Sequence, residues 1–204
     1  MKRALLILLI LLAPISLLAA GEGKLAKNIV LFIGDGTGLP TLNAASLHGY
    51  GRPGALYIQR MPHLALMDTS AASSWVTDSA AGMTAIVTGQ KTHNGVISQG
   101  ADAERGVKDG QPLKTILEYA EEHGLATGVI TNSPVSDATP AACYAHSNDR
   151  AKQGEIFAQV LKPRFGDGVD IIIGPGRGAI LRGDSRFGHR RPAGKTKSGG
   201  LSVH

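Results

Sequence analysis

The chain has very little cysteine: Cys143 is the single thiol among 204 residues. That excludes an internal disulfide framework and any zinc site built from several thiolates. The residue types around it suit a small apolar side chain in a helix better than a nucleophile. Aromatic residues are scarce, at 4%, and charged residues make up only 18%. With 43% hydrophobic residues, the composition excludes a disordered chain and a coiled coil. Glycine is plentiful instead, 27 residues, about twice its usual share of roughly 7%. It follows no three-residue period, so collagen is excluded and glycine-rich turns are expected. The length suits one domain or a tight pair, with a buried core.

The net charge of +5 is unevenly placed. Residues 177–204 hold seven Lys/Arg against one acid, Asp184, and Lys2 and Arg3 add two bases at the start. Residues 21–176 hold 12 bases and 15 acids. The body of the chain is mildly acidic, so a basic isoelectric point gives no reason to expect a nucleic-acid partner.

Residues 1–20 read as an export signal. Lys2 and Arg3 precede an apolar run from Ala4 to Leu12, Pro14 interrupts it, and Ala19-Ala20-Gly21 offers small residues for cleavage. The stretch falls short of the ~20 apolar residues of a spanning helix. The mature protein is expected to be exported, periplasmic or extracellular, with no stable membrane span.

Beyond the signal, strand and helix patterns alternate. Strands are expected at 28–33 (NIVLFI), 64–68, 126–131 and 169–173, and helices at 79–88, 113–123, 139–146 and 154–161. Strands separated by helices imply an α/β fold with a mostly parallel central sheet flanked by helices. Ligands of such sheets gather at the carboxyl ends of the strands. Residues 21–176 form the expected domain, and 177–204 a basic, irregular tail.

Three polar clusters fall where that chemistry is expected. Asp35 stands in Gly34-Asp35-Gly36-Thr37-Gly38 at the end of the first strand, as a hard metal ligand or as a solvated turn residue. No Lys-Ser/Thr follows, so the loop is not a P-loop. Ser79 opens a helix in Val76-Thr77-Asp78-Ser79-Ala80-Ala81-Gly82. It is a candidate nucleophile, and Asp78 or a neighbour is equally an ordinary N-cap. With no histidine nearby in sequence, a nucleophilic serine there would need a metal to stabilise its alkoxide. Asp137 and Thr139 start the next cluster, a pair suited to Mg²⁺. Arg150 follows with a planar fork suited to two phosphate oxygens. A capped helix with a surface arginine is the alternative.

FIGDGTG, VTDSAAGMTAIVTGQKT and SDATPAACYAH with Arg150 behind them, in this order, resemble the alkaline phosphatase family over roughly residues 27–176. The resemblance implies hydrolysis of small phosphate monoesters through a phosphoserine at Ser79. It implies two Zn²⁺ and one Mg²⁺, with Asp35 between one zinc and the magnesium and Ser79 on that zinc. Asp137 and Thr139 would complete this half of the magnesium site, Arg150 would bind phosphate, and Asp78 would orient Arg150. Family members are often homodimers. Thr37 stands where methionine is frequent. Most zinc ligands of the family come from a carboxyl-terminal half to which nothing here corresponds. The chain is therefore expected to be an amino-terminal, truncated portion with an incomplete sheet and little activity. Two other readings remain: a non-catalytic fragment binding phosphate or Mg²⁺, and a metal-dependent phosphodiesterase of the same superfamily. A sulfatase is disfavoured, because its Cys/Ser-x-Pro-x-Arg motif is missing.

Overall fold

The computed structural model describes residues 26–182. The expected signal and residues 183–204 of the basic tail lie outside them. Contacts divide the chain into a unit ending at Gly34 and a unit beginning at Asp35.

In the first unit the described residues, 26–34, form no strand. Ile29 and Phe32 are 88% and 89% exposed. The apolar run has the right residues for a buried strand, but a strand also needs a ladder partner for its N–H and C=O groups. Among the described residues this run has none. Residues 64–68 likewise form no strand, and Leu64 and Leu66 are exposed.

The second unit opens with α1, Leu39–Tyr50. Pro40 sits in its first turn, where a missing N–H costs nothing, and Gly51 ends it in the left-handed conformation with φ 67°. α2, Ser79–Thr88, is capped by Asp78, whose carboxylate accepts the Ala81 N–H at 3.0 Å. Gly89, φ 72°, closes it. α3 covers Ile116–Glu122. Its start is a capping box: Thr115 Oγ1 accepts the Glu118 N–H at 3.2 Å, and Glu118 Oε2 accepts the Thr115 N–H at 2.8 Å. β1, Gly128–Ile130, is followed by α4, Ala138–Ala141, by α5, Gln153–Ala158, and by β2, Ile171–Ile173. A single 3-10 turn, Gln159–Leu161, extends α5. α6, Arg177–Arg182, gives helical form to the first residues of the stretch expected to be irregular.

β1 and β2 pair in parallel, with Val129 opposite Ile172. The α/β class and the parallel sheet therefore stand, with two strands among the described residues rather than four. The core lies where α2 packs on α4, and small residues let the two helices approach. Ala80, Ala138, Ala141, Ala142 and Ala145 are fully buried there, with Val87, Ile97 and Ile156 filling the larger gaps. This packing fixes the amino-terminal ends of two helices, and with them Ser79 and Thr139. No helix among the described residues is long and apolar enough to cross a membrane.

Candidate active site

Asp35 lies in a tight turn with Gly36, whose φ of 65° suits a residue without a Cβ. The Asp35 carboxylate accepts two hydroxyl protons, one on each oxygen. Ser79 Oγ donates to Oδ1 at 3.1 Å and Thr139 Oγ1 donates to Oδ2 at 2.7 Å. Three residues from three distant parts of the sequence thus meet through one carboxylate.

Beside this group lies a second one centred on Arg150. Its Nη1 donates to Asp78 Oδ2 at 3.2 Å and its Nη2 to Asp137 Oδ1 at 3.0 Å. Each of these carboxylates also caps a helix: Asp78 caps α2, and Asp137 accepts the Ala138 N–H at the start of α4, at 2.8 Å. The guanidinium therefore ties together the starts of the two helices that carry Ser79 and Thr139. Burial works against the Arg150 charge, but the hydrogen bonds and Coulomb attraction of Asp137 and Asp78 outweigh it and raise its pKa.

All six residues singled out in the sequence (Asp35, Asp78, Ser79, Asp137, Thr139 and Arg150) come together within one unit. Their internal pairing differs in one respect from the roles the resemblance implies. Asp137 is engaged with Arg150 and its own helix, whereas Asp35 and Thr139 touch directly. Two residues that sequence reasoning passed over hold the group in place. Asn94 Oδ1 accepts the Asp78 N–H and Asn94 Nδ2 donates to the Val76 carbonyl, both at 2.9 Å. The Gly95 carbonyl accepts the Arg150 N–H at 2.8 Å. The Asn-Gly dipeptide, a standard turn signal, was the clue available in the sequence.

As to metals, the cluster around Asp35 offers one carboxylate and two hydroxyls, hard oxygen donors of the kind Mg²⁺ takes. Zinc fits less well: among the described residues no group of three His, Cys, Asp or Glu side chains is placed to hold an ion. Three of the histidines serve other contacts. His93 bonds Ser73 and the Ala101 carbonyl, His123 bonds the Tyr119 carbonyl, and His146 is buried against Glu118 and the Ser98 carbonyl.

Comparison with known proteins gives one family description, alkaline phosphatase, matching residues 26–200. Alkaline phosphatase 4 of Drosophila melanogaster is 41% identical over 157 residues, covering 72% of this chain and 26% of that protein. The streptomycin-6-phosphate phosphatase of Streptomyces griseus is 38% identical over 154 residues, covering 72% of this chain and 33% of its own. The alkaline phosphatase of the Antarctic bacterium TAB5 superposes with a TM-score of 0.56 at 30% identity, over 68% of this chain and 36% of that one. A mutant of the TAB5 enzyme with bound magnesium gives 0.60, also at 30% identity, over 72% of this chain and 38% of that one. The chain spans about a quarter to a third of the length of the curated relatives it matches.

Proposed function

The chain belongs to the alkaline phosphatase family, and from that premise we propose that the protein containing it hydrolyses phosphate monoesters through a phosphoserine at Ser79. One observation carries the reading: Asp35, Ser79 and Thr139 share a carboxylate beside an arginine held between Asp78 and Asp137.

Arg150 presents a planar fork that can accept a phosphate dianion in place of part of its carboxylate contacts. Ser79 lies at the start of α2, where backbone N–H groups and the helix dipole favour the negative charge brought by the phosphoryl group. In the transfer, the Ser79 Oγ–P bond forms as the ester P–O bond breaks, and the proton lost from the Ser79 hydroxyl leaves with the alcohol. Water then attacks the phosphoserine and frees both inorganic phosphate and the serine. Asp35 takes the hydrogen bond of the Ser79 hydroxyl and so keeps its oxygen lone pairs turned towards the substrate side. Magnesium, held by Asp35 and Thr139, would contribute Lewis-acid stabilisation of developing negative charge. On the family pattern Asp137 would also belong to the residues that hold magnesium. The two zinc ions of the family are not matched by the donors among the described residues, so no step is assigned to them here. A catalytic zinc usually takes three protein ligands, and for that reason the 204-residue chain by itself should show little turnover.

The resemblance also supports export, with the first ~20 residues removed, and small phosphate monoesters as substrates. Amino-terminal sequencing of secreted protein tests the first point; a start at Met1 contradicts it. For the site itself, Arg150→Ala should weaken binding of inorganic phosphate by roughly 1.5–3 kcal/mol per charge-assisted hydrogen bond lost. Calorimetric titration checks this, and unchanged affinity removes Arg150 from the phosphate site.

A further inference from the structure

Asn94 and Gly95 connect the serine motif to Arg150, and neither belongs to the six residues given a part in the chemistry. The two ends of the Asn94 side-chain amide grip the chain on both sides of Thr77: the carbonyl oxygen takes the Asp78 N–H, and the NH₂ gives to the Val76 carbonyl. That fixes the backbone from which the Asp78 carboxylate reaches Arg150. The next residue holds the other end, since the Gly95 carbonyl accepts the Arg150 N–H. Gly95 has φ 86°, and a Cβ there would run into the Arg105 side chain, which is itself paired with Asp149 at 3.0 Å. Two residues further on, Ile97 exchanges backbone hydrogen bonds with Ser147 at 2.8 and 2.9 Å. Residues 94–97 are thereby laid against 147–150, and the segment spans from the nucleophile motif to the arginine.

We propose that Asn94 is a positioning residue that sets the Arg150 guanidinium beside Ser79, acting through Asp78. The proposal rests on the phosphatase reading for the purpose of that placement, but the placement itself can be measured without turnover. Without Asn94, the Asp78 N–H and the Val76 carbonyl lose their partners, and the Asp78 carboxylate, still capping α2, is held less firmly against Arg150.

The test is hydrogen exchange at the Arg150 guanidinium, followed by NMR in the full chain. Asn94→Ala should speed that exchange about tenfold, the equivalent of one charge-assisted hydrogen bond. Thr115→Ala, which removes a cap that makes no hydrogen bond to Arg150, should lower the melting temperature yet leave that exchange unchanged. Exchange at Arg150 that is unaltered in Asn94→Ala overturns the proposal and leaves Asn94 a purely structural role. Asn94→Asp keeps an acceptor for the Asp78 N–H and decides the matter if the alanine variant does not fold. Faster exchange in it than in the wild type, from the lost bond to the Val76 carbonyl, supports the proposal, and unchanged exchange contradicts it. Inorganic phosphate is titrated in parallel. Weaker binding to the Asn94 variant supports the proposal, and equal affinity overturns it. Absence of binding to the wild-type chain sinks the phosphate reading of Arg150, and the exchange rates alone then decide whether Asn94 positions it.

Discussion

Arg150 and Cys143 show how opposite environments set the chemistry of single side chains. Arg150 is half-buried but faces two carboxylates, so its charge is secured. Cys143 is buried with no charged partner, and desolvation pushes its thiol up to about 12. The thiolate is the reactive form, so Cys143 should be inert towards a disulfide reagent in the native chain at neutral or mildly alkaline pH. Unfolding in denaturant should release one reactive thiol. Rapid labelling of native protein would show that the site opens. The sequence pointed the same way, because a lone cysteine between Ala142 and Tyr144 has no base or cation next to it. What the sequence did not reveal at this scale was pairing. That Asp137 would reach Arg150 depends on how α4 packs, and nothing in the local pattern encodes that distance.

Helix starts carry most of the site, and they were the part best read from sequence. α2 begins at Ser79 and ends at Thr88, as its small-residue pattern and Gly89 indicate. α3 starts at Ile116 rather than Leu113, because Thr115 and Glu118 close a capping box. The apolar stripe shows which face packs, whereas the cap sets the boundary. Thr115→Ala should destabilise the fold by about 1 kcal/mol from the lost cap. The lost hydrogen bond from Thr115 Oγ1 to the buried Cys143 carbonyl, 2.8 Å, adds to that. Denaturant unfolding measures it, and a change within error would mean the cap contributes nothing. α1 was not anticipated, although Pro40 and Gly51 are ordinary start and stop signals; its hydrophobic stripe is too weak to announce it. The two unformed strands, 28–33 and 64–68, failed for a different reason. Apolar, β-branched composition describes a strand's faces, but a ladder needs neighbours that no local pattern supplies.

For the molecule as a whole, buried charge links folding to pH. Glu121 is buried beneath the loop that follows α5, and desolvation raises its pKa from the ordinary 4.5, only partly offset by hydrogen bonds from Thr127 and Gly168. Glu118 and Asp167 raise it further by repulsion. The native carboxyl therefore holds its proton to higher pH than the unfolded chain does. Its contribution to stability is fully present below 4.5 and is lost as pH rises through the raised native value. Glu121→Gln cannot ionise, so its stability should decline less over that window, as measured by denaturant unfolding at a series of pH values. An identical pH profile in the two proteins would contradict this.

The assembly of Asp35, Ser79, Thr139 and Arg150 from motifs up to 115 residues apart in the chain is the central claim, and it is a claim about where phosphate becomes covalently attached. The most direct test is acid-quenched labelling of the metal-supplemented protein containing this chain with radioactive phosphate ester, followed by peptide mapping. The label is expected on Ser79 alone, and Ser79→Ala should carry none. A label that persists in Ser79→Ala, or maps to another residue, would place the nucleophile elsewhere.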